Sequence, residues 1–116
     1  MIINEKQDNA YKQLIESLAE DEYIENIILA NIDDCWDMKD YHLPAYYSGR
    51  PLTLEEARPY LYGWSIDGGY GGEEVIPFYA WTNKRILFIG TYDGSTWLTS
   101  VPRDPIDCRP YTVGGG

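Results

Sequence analysis

The sequence predicts an α+β fold in which two N-terminal helices pack on a four-stranded antiparallel β-meander. Apolar residues recur at helical spacing early in the chain, whereas aromatic and β-branched residues, separated by turn-forming pairs, dominate the second half. The 116 residues, 44% of them hydrophobic, suit one domain that folds without disulfides. Within it we distinguish an acidic helical part over residues 1–40, a β-meander over residues 60–102 and an extended tail over residues 103–116.

Two helices are predicted at the start of the chain. Asn4 begins a capping-box pattern, and the apolar residues that follow repeat every three or four positions, so a first helix is expected over residues 5–19. Asp21 suits the N-cap of a second helix over residues 22–32. Residues 27–29 also suit a strand, because their β-branched side chains favour sheets.

A loop and a short helix are predicted next. Residues 33–51 have no clear periodicity and combine tyrosines with proline and glycine, which indicates an aromatic-rich loop. Thr53 and Glu56 match the Thr-x-x-Glu capping box, in which the hydroxyl and the carboxylate each satisfy a backbone N–H. A helix is expected to start there, and Pro59 limits it to about two turns because proline lacks the backbone donor.

Four strands are predicted in the second half, at residues 60–66, 75–82, 85–92 and 95–101. Asp93-Gly94 is the strongest hairpin signal in the chain and Asn83-Lys84 a weaker one, so the last three strands are expected to form a meander. The third strand is apolar on both faces, which favours a position inside the sheet.

The tail after Pro102 is rich in proline and ends in three glycines, so we expect it to be extended. Arg103 lies between two of these prolines. Its guanidinium is expected either to pair with the acidic helical part of the same domain or to face a partner.

The net charge of −10 is concentrated at the start of the chain. Residues 1–40 contain 11 acidic and 3 basic residues, whereas residues 41–116 contain 8 acidic and 6 basic residues. A field of this sign repels nucleic acids and anionic membranes and accelerates encounters with basic proteins. Direct binding to nucleic acid or membrane is therefore disfavoured, and a basic protein or nucleoprotein complex is the expected partner.

Cysteine and histidine form no strong metal or redox motif. Cys35 and Cys108 lack the paired spacing of metal ligands, so we expect free thiols, with a disulfide between them as the alternative. Cys35, Asp40 and His42 can be drawn as a metal set or as a thiol with its base, but no second histidine completes a usual zinc site. No metal and no cofactor are predicted.

The chain shows no signal for export or membrane insertion. Its first residues lack the basic start and apolar stretch of a secretion signal. Its longest apolar run, residues 86–89, is far shorter than a membrane span. We expect the protein in a reducing cytoplasm, which is the host cytoplasm if the chain is phage-encoded.

The glycine-rich loop that begins at Asp67 and ends at Gly72 is the main candidate for an enzyme or ligand-binding site. It lacks the Lys-Ser/Thr of a phosphate-binding P-loop and no helical pattern follows it. Asp67 and Asp93 lie at predicted strand ends, where two carboxylates can act as acid and base, although Asp before Gly is also ordinary turn chemistry. No catalytic residue is assigned, and an enzyme that uses this loop and Asp93 is an alternative function.

The favoured function is that of a small acidic inhibitor of a basic, nucleic-acid-handling protein, acting by steric and electrostatic occlusion without turnover. Phage anti-defence proteins against CRISPR or restriction complexes and immunity proteins against nuclease toxins belong to this class. Spaced carboxylates can imitate a phosphate backbone, and Tyr or Trp side chains supply packing area. The predicted partner-binding residues are Glu20, Asp21, Glu22, Glu25, Asp33, Asp34, Asp37, Asp40, Trp36, Tyr46 and Tyr47.

The acidic and aromatic residues also fit two further roles. Acidic residues on a solvated helix surface often serve solubility alone. A virion accessory or oligomeric structural protein would instead use the aromatic face of the sheet, and a stable homo-oligomer in solution would favour that function.

Overall fold

The computed structural model of the protein describes residues 9–30, 43–66, 76–92 and 95–112. The α+β class is confirmed, because these residues form a four-stranded antiparallel sheet with a few short helices. In chain order the elements are α1 (Ala10–Ser17), β1 (Ile24–Leu29), a 3-10 helix (Ala45–Tyr47), α2 (Leu54–Ala57), a second 3-10 helix (Arg58–Leu61), β2 (Phe78–Thr82), β3 (Arg85–Tyr92) and β4 (Ser95–Pro102).

The sheet has the order β1-β2-β3-β4, and every neighbouring pair is antiparallel. β2, β3 and β4 form the predicted meander, with β3 between two neighbours as its apolar character indicated. The pairing of Ile28 with Tyr79, Tyr79 with Phe88, and Phe88 with Thr99 defines one row across the sheet. Side chains of one row share a face, and those of the next row point to the other face.

The predicted second helix over residues 22–32 is wrong, because β1 occupies Ile24–Leu29. Ile27 and Leu29 are buried while Ile28 between them is less so, which is the period of two that a strand requires. β1 pairs with β2 about 50 residues later in the chain, from Ile24 opposite Thr82 to Leu29 opposite Phe78. The expected arrangement of two N-terminal helices on the sheet is therefore replaced by one helix and one strand.

The first helix is shorter than predicted. α1 begins at Ala10, and its N-cap Asn9 has an extended backbone and accepts a hydrogen bond from the Lys12 N–H at 2.9 Å. It ends at Ser17, where Leu18 returns to an extended conformation. The predicted cap at Asn4 lies outside the described residues.

The predicted strand over residues 60–66 is also wrong. The capping box at Thr53 and Glu56 is confirmed by its two reciprocal hydrogen bonds of 2.9 and 3.1 Å, and it starts α2. The chain then continues as a 3-10 helix, with Pro59 at a first-turn position where a missing N–H costs nothing. The Trp64 indole N–H donates to the Tyr60 carbonyl oxygen at 2.8 Å, which folds this segment onto the core.

One face of the sheet, which we call the inner face, carries the core. Buried side chains of this face pack against buried side chains from α1, α2 and the segment after α2. The buried apolar residues of the described chain are Ala10, Leu14, Ile27, Leu29, Leu43, Leu52, Ala57, Leu61, Trp64, Ile66, Ile76, Phe78, Ala80 and Leu87.

The opposite face of the sheet, the outer face, is not covered by any helix among the described residues. By the strand register its side chains are Asn26, Ile28, Tyr79, Trp81, Ile86, Phe88, Trp97, Thr99 and Val101. None of these side chains is charged, although 24% of the residues in the chain are charged. Tyr79 is 55% exposed, and its ring contacts Trp81 and Phe88 edge-on.

The tail after β4 crosses back to the sheet. The Tyr111 hydroxyl donates to the Ser100 carbonyl oxygen at 2.7 Å and lies 2.6 Å from the Thr99 hydroxyl. Cys108 in this tail is exposed and has a free thiol. Within the described ranges, no helix has the length and apolar character needed to cross a membrane.

Because α1 packs on the core, truncating its buried Leu14 side chain is expected to lower the stability of the fold strongly. Leu14 is completely buried, so Leu14→Ala is expected to lower the free energy of unfolding by about 3 kcal/mol. The neighbouring Ile15, which is exposed, provides the matched control, and Ile15→Ala is expected to cost well under about 1 kcal/mol. Urea denaturation of both variants measures the difference, and equal losses would contradict this packing.

Candidate functional site

A buried ion pair closes the end of the sheet at which β2 ends and β3 begins, which we call the Arg85 end. The Arg85 guanidinium donates from Nε to Glu22 Oε2 at 2.9 Å and from Nη2 to Glu22 Oε1 at 3.0 Å. The Thr82 hydroxyl donates to Oε2 at 2.6 Å, and the Ala19 N–H donates to Oε1 at 3.0 Å. Arg85 Nη2 also donates to the Ser17 carbonyl oxygen at 2.7 Å. The Glu22 side chain, only 1% exposed, is therefore satisfied within the fold.

This environment holds Glu22 in its ionised form. The hydrogen bonds from Arg85 lower the pKa of the Glu22 carboxyl from 4.5 to about 2, and those from Thr82 and Ala19 act in the same direction. Burial alone would raise this pKa, because desolvation disfavours the charged form. The hydrogen-bond donors lower the pKa by more than desolvation raises it.

Two more ion pairs lie at the Arg85 end. Lys84 Nζ lies 2.6 Å from Asp21 Oδ1 on the surface. Arg103 pairs with Glu25 and donates to the Thr82 carbonyl oxygen at 2.9 Å. Of the two roles expected for Arg103, the structure shows a pairing within the domain, but Glu25 lies on β1 and not on a helix. The hydrogen bond to Glu25 favours the charged form of Arg103 and raises the pKa of its guanidinium.

Three of the predicted partner-binding acids thus have basic partners inside the fold. Asp21, Glu22 and Glu25 each contact a different base, whereas Glu20 is exposed in the turn after α1. Sequence reasoning missed Arg85, which lies 63 positions from Glu22. One signal was present, because Lys84-Arg85 is the only adjacent basic pair in the chain and belongs to a predicted hairpin turn.

An open apolar groove of about 580 Å³ lies at the opposite end of the sheet, where β1 ends and β2 begins. We call this the groove end, and it lies about 17 Å from the Arg85 end along β1, at about 3.3 Å per residue. Its described lining residues are Ile28, Leu29, Ala30, Ser48, Gly49, Pro77, Phe78, Tyr79, Phe88, Ile89 and Thr91. None of these is charged, so the groove suits an uncharged, apolar group.

One wall of the groove is the turn after the first 3-10 helix. Gly49 in this turn donates its N–H to the Leu29 carbonyl oxygen at 3.0 Å, which ties the turn to the end of β1. Gly49 has a φ of 73°, in the left-handed region that residues with a Cβ atom disfavour. Glycine is therefore favoured here by backbone conformation.

The predicted binding residues Tyr46 and Tyr47 belong to the 3-10 helix that precedes this turn. Tyr46 is 66% exposed, and its ring lies edge-on to Tyr47 with ring centroids 4.8 Å apart. Tyr47 is half-buried and contacts Tyr60 at a centroid distance of 6.3 Å. Tyr46 is thus an exposed aromatic side chain, close in sequence to Ser48 and Gly49 of the groove wall.

The charge of the protein is divided between its segments. The described residues contain nine acidic and seven basic residues, whereas the remaining segments contain ten acidic and two basic residues. Residues 31–42, 67–75 and 93–94 together carry a net charge of −7. In the sequence, residues 31–42 follow Ala30, residues 67–75 precede Ile76, and residues 93–94 connect Tyr92 to Ser95, so each segment is bonded to at least one residue at or next to a strand end of the groove end. Most of the net charge therefore belongs to segments bonded to that end.

The other sequence-predicted residues lie outside the described part of the chain. They are Asp33, Asp34, Cys35, Trp36, Asp37, Asp40 and His42, the loop from Asp67 to Gly72, and Asp93. Among the residues that are described, no group of three or more His, Cys, Asp or Glu side chains is arranged to hold a metal ion.

The Glu22–Arg85 pair predicts a specific pH dependence. Because the folded-state pKa of Glu22 lies below its unfolded value, the stability it contributes is complete above about pH 4.5 and is lost as the pH falls towards about 2. The shift corresponds to about 3 kcal/mol. Between pH 7 and pH 2, wild type is expected to lose that much more free energy of unfolding than Glu22→Gln, as measured by urea denaturation.

The exposed Lys84–Asp21 pair supplies the control for this experiment. Asp21→Asn is expected to leave the pH dependence close to that of wild type, because the pair is exposed to solvent on both sides. Identical pH profiles for wild type and Glu22→Gln would show that the buried pair does not stabilise the fold.

The backbone conformation of Gly49 predicts that substitution by alanine lowers the stability of the fold for a reason other than steric crowding. A Cβ atom at this position would meet no atom within 4 Å, yet Gly49→Ala is expected to destabilise the fold by about 1 kcal/mol because of the positive φ. Gly49→Asn, which tolerates this conformation better, is expected to cost less. Thermal unfolding of the two variants compares them, and a neutral alanine would contradict the assigned turn.

Comparison of this chain with models of known protein families, with curated proteins and with solved structures found no match.

Proposed function

We propose that the protein is a small acidic inhibitor that binds a basic surface of a nucleic-acid-handling protein and blocks it by steric and electrostatic occlusion. A phage anti-defence protein or an immunity protein against a nuclease toxin would act in this way. The observation that supports the proposal best is the charge division between a nearly balanced body and the segments bonded to the groove end. Carboxylates grouped in this way attract lysine- and arginine-rich surfaces.

The ion pairs within the fold reduce the set of acidic residues that we propose contact the partner. Asp21, Glu22 and Glu25 already have basic partners, so a partner protein would gain less from them than from unpaired acids. The proposed interface therefore uses mainly the other predicted acids, Asp33, Asp34, Asp37 and Asp40, together with Trp36. The exposed Tyr46 and the half-buried Tyr47 would add packing area.

The uncharged outer face supports a second candidate, an oligomeric structural protein. Tyr79, Trp97 and Val101 on this face are all exposed. A self-associating protein would bury such side chains between copies. Light scattering of the purified protein measures its molar mass and so distinguishes the two functions. A structural protein is expected to be an oligomer, whereas an inhibitor can act as a monomer.

The main proposal is tested by affinity capture from a bacterial lysate with tagged protein, at about 50 mM and about 500 mM salt. Wild type is expected to retain a nucleic-acid-binding protein at low salt and to suppress its DNA or RNA binding. A variant with Asn at positions 33, 34, 37 and 40 is expected to bind that protein at least about tenfold more weakly.

A charge-matched control removes four other exposed acids. Glu16→Gln, Glu55→Gln, Asp104→Asn and Asp107→Asn are combined, since all four side chains lie on the surface away from residues 31–42 in sequence. This control is expected to retain the partner. Retention that survives high salt and is equal in all three proteins, or a partner with no role on nucleic acids, would refute the proposal.

A further inference from the structure

The two edges of the sheet differ in what pairs with them. On β1, the Ile27 N–H donates to the Leu52 carbonyl oxygen at 2.9 Å, and the Leu52 N–H donates back to Ile27 at 2.8 Å. The opposite edge is formed by β4, and no described segment makes backbone hydrogen bonds of this kind with it. β4 is eight residues long, and an edge strand of this length offers backbone groups with which another strand can pair.

The register shows which backbone groups face this edge. The Arg103 N–H donates to the Lys84 carbonyl oxygen at 3.0 Å, where the one-to-one pairing of β3 with β4 ends. In an antiparallel ladder every second residue bonds to the same neighbour, so the odd-numbered residues of β4 turn their backbone groups to β3. The backbone groups of Leu98 and Ser100 therefore point away from β3. In agreement, the Ser100 carbonyl oxygen accepts its hydrogen bond from Tyr111 in the tail.

The tail covers the β4 edge at one point. The Tyr111 hydroxyl donates to the Ser100 carbonyl oxygen at 2.7 Å and lies 2.6 Å from the Thr99 hydroxyl. Residues 103–112 are all exposed, and within the described chain the hydrogen bonds between residues 104–112 and the sheet are those of Tyr111. An open groove of about 570 Å³ lies between the tail and the sheet. A segment held by so few contacts opens at a low free energy, and its release uncovers the Ser100 carbonyl.

The charge of β4 suits pairing with a second copy of the chain. Two copies with a net charge of −10 repel each other, so contact is favoured only where no acidic residues meet. Ser95–Pro102 contains no charged residue. A basic partner protein would gain no ion pair from this strand, whereas a second copy loses nothing by its lack of charge.

Antiparallel pairing of β4 with its own copy also obeys two-fold symmetry, the commonest symmetry of homodimers. With the axis at Thr99, the Leu98 N–H of one copy meets the Ser100 carbonyl oxygen of the other, and the Ser100 N–H meets the Leu98 carbonyl oxygen. Tyr111 and the second copy therefore compete for the same carbonyl oxygen.

We propose that the tail is a reversible cover of the β4 edge, and that its release lets two copies of the chain pair antiparallel through β4. The dimer joins two four-stranded sheets into one continuous sheet. It uses the edge of the sheet and not the outer face. This pairing is independent of the proposed inhibition, because none of the residues proposed to contact the inhibited protein lies on β4 or in the tail.

Tyr111→Phe in the full chain tests the cover, because it keeps the ring and removes the hydroxyl. Sedimentation velocity is expected to show dimerisation at least about tenfold tighter than in wild type, since a dimer frees two such hydrogen bonds, each contributing about threefold to fivefold. Tyr23→Phe, at another exposed tyrosine, is the matched control and is expected to behave like wild type. Dimerisation is expected to strengthen from about 50 mM to about 500 mM salt, because salt screens the repulsion between the copies.

Ser100→Pro, added to Tyr111→Phe, tests the edge itself. Proline removes the N–H that points away from β3 and leaves the ladder between β3 and β4 its hydrogen bonds. The double variant is expected to be monomeric. Val101→Ser, added to Tyr111→Phe instead, removes an exposed side chain of the outer face and is expected to keep the dimer. Circular dichroism checks that both double variants fold.

Amide hydrogen exchange locates the contact without a proline variant. In the Tyr111→Phe dimer, the amides of Leu98 and Ser100 are expected to exchange at least about tenfold more slowly than in the wild-type monomer. The amides of Trp97 and Val101, which point to β3, are expected to be protected in both proteins.

Equal self-association of wild type and Tyr111→Phe would overturn the inference, as would a dimer in which Leu98 and Ser100 exchange as they do in the monomer. A dimer that Val101→Ser abolishes and Ser100→Pro keeps would lie on the outer face and would also refute pairing through the edge. The proposed function fails separately. Capture of a basic protein is expected to weaken with salt, and its loss in the four-Asn variant would support inhibition even if Tyr111→Phe stayed monomeric.

Discussion

The pairing of Glu22 with Arg85 is the constraint on which the arrangement of the chain depends. Glu22 precedes β1, Arg85 begins β3, and the same network includes Thr82 at the end of β2 and the Ser17 carbonyl at the end of α1. Four elements therefore meet at this ion pair. Removing Arg85 would leave the buried Glu22 carboxylate without its basic partner, so the group acts as a unit that holds the helix to the sheet.

The ion pairs at the Arg85 end use three of the nine basic residues of the chain. Lys84 and Arg85 at the β2–β3 turn and Arg103 in the tail contact the acids that precede and begin β1. Most of the excess acids belong instead to residues 31–42, 67–75 and 93–94, which follow Ala30, precede Ile76 and connect Tyr92 to Ser95 in the sequence.

Local signals in the sequence predicted part of this structure well. The bounds of β3, the meander of β2 to β4 and the capping box at Thr53 follow from turn residues, alternation and caps within a few positions. β1 was misassigned because six residues rich in isoleucine suit a helix or a strand, and the choice depends on pairing with β2 far along the chain. The burial of Glu22 could not be predicted from local sequence either, because its partner Arg85 lies 63 positions away in the chain. The groove could not be predicted, because it is lined by residues from four separate parts of the sequence.

The ion pairs at the Arg85 end also differ in how far added salt can screen them. The Lys84–Asp21 pair is exposed to solvent, whereas the Glu22 carboxylate that pairs with Arg85 is buried. Salt would therefore weaken the surface contact between the β2–β3 turn and Asp21 before it weakened the contacts of Arg85 with Glu22 and with the Ser17 carbonyl oxygen at the end of α1.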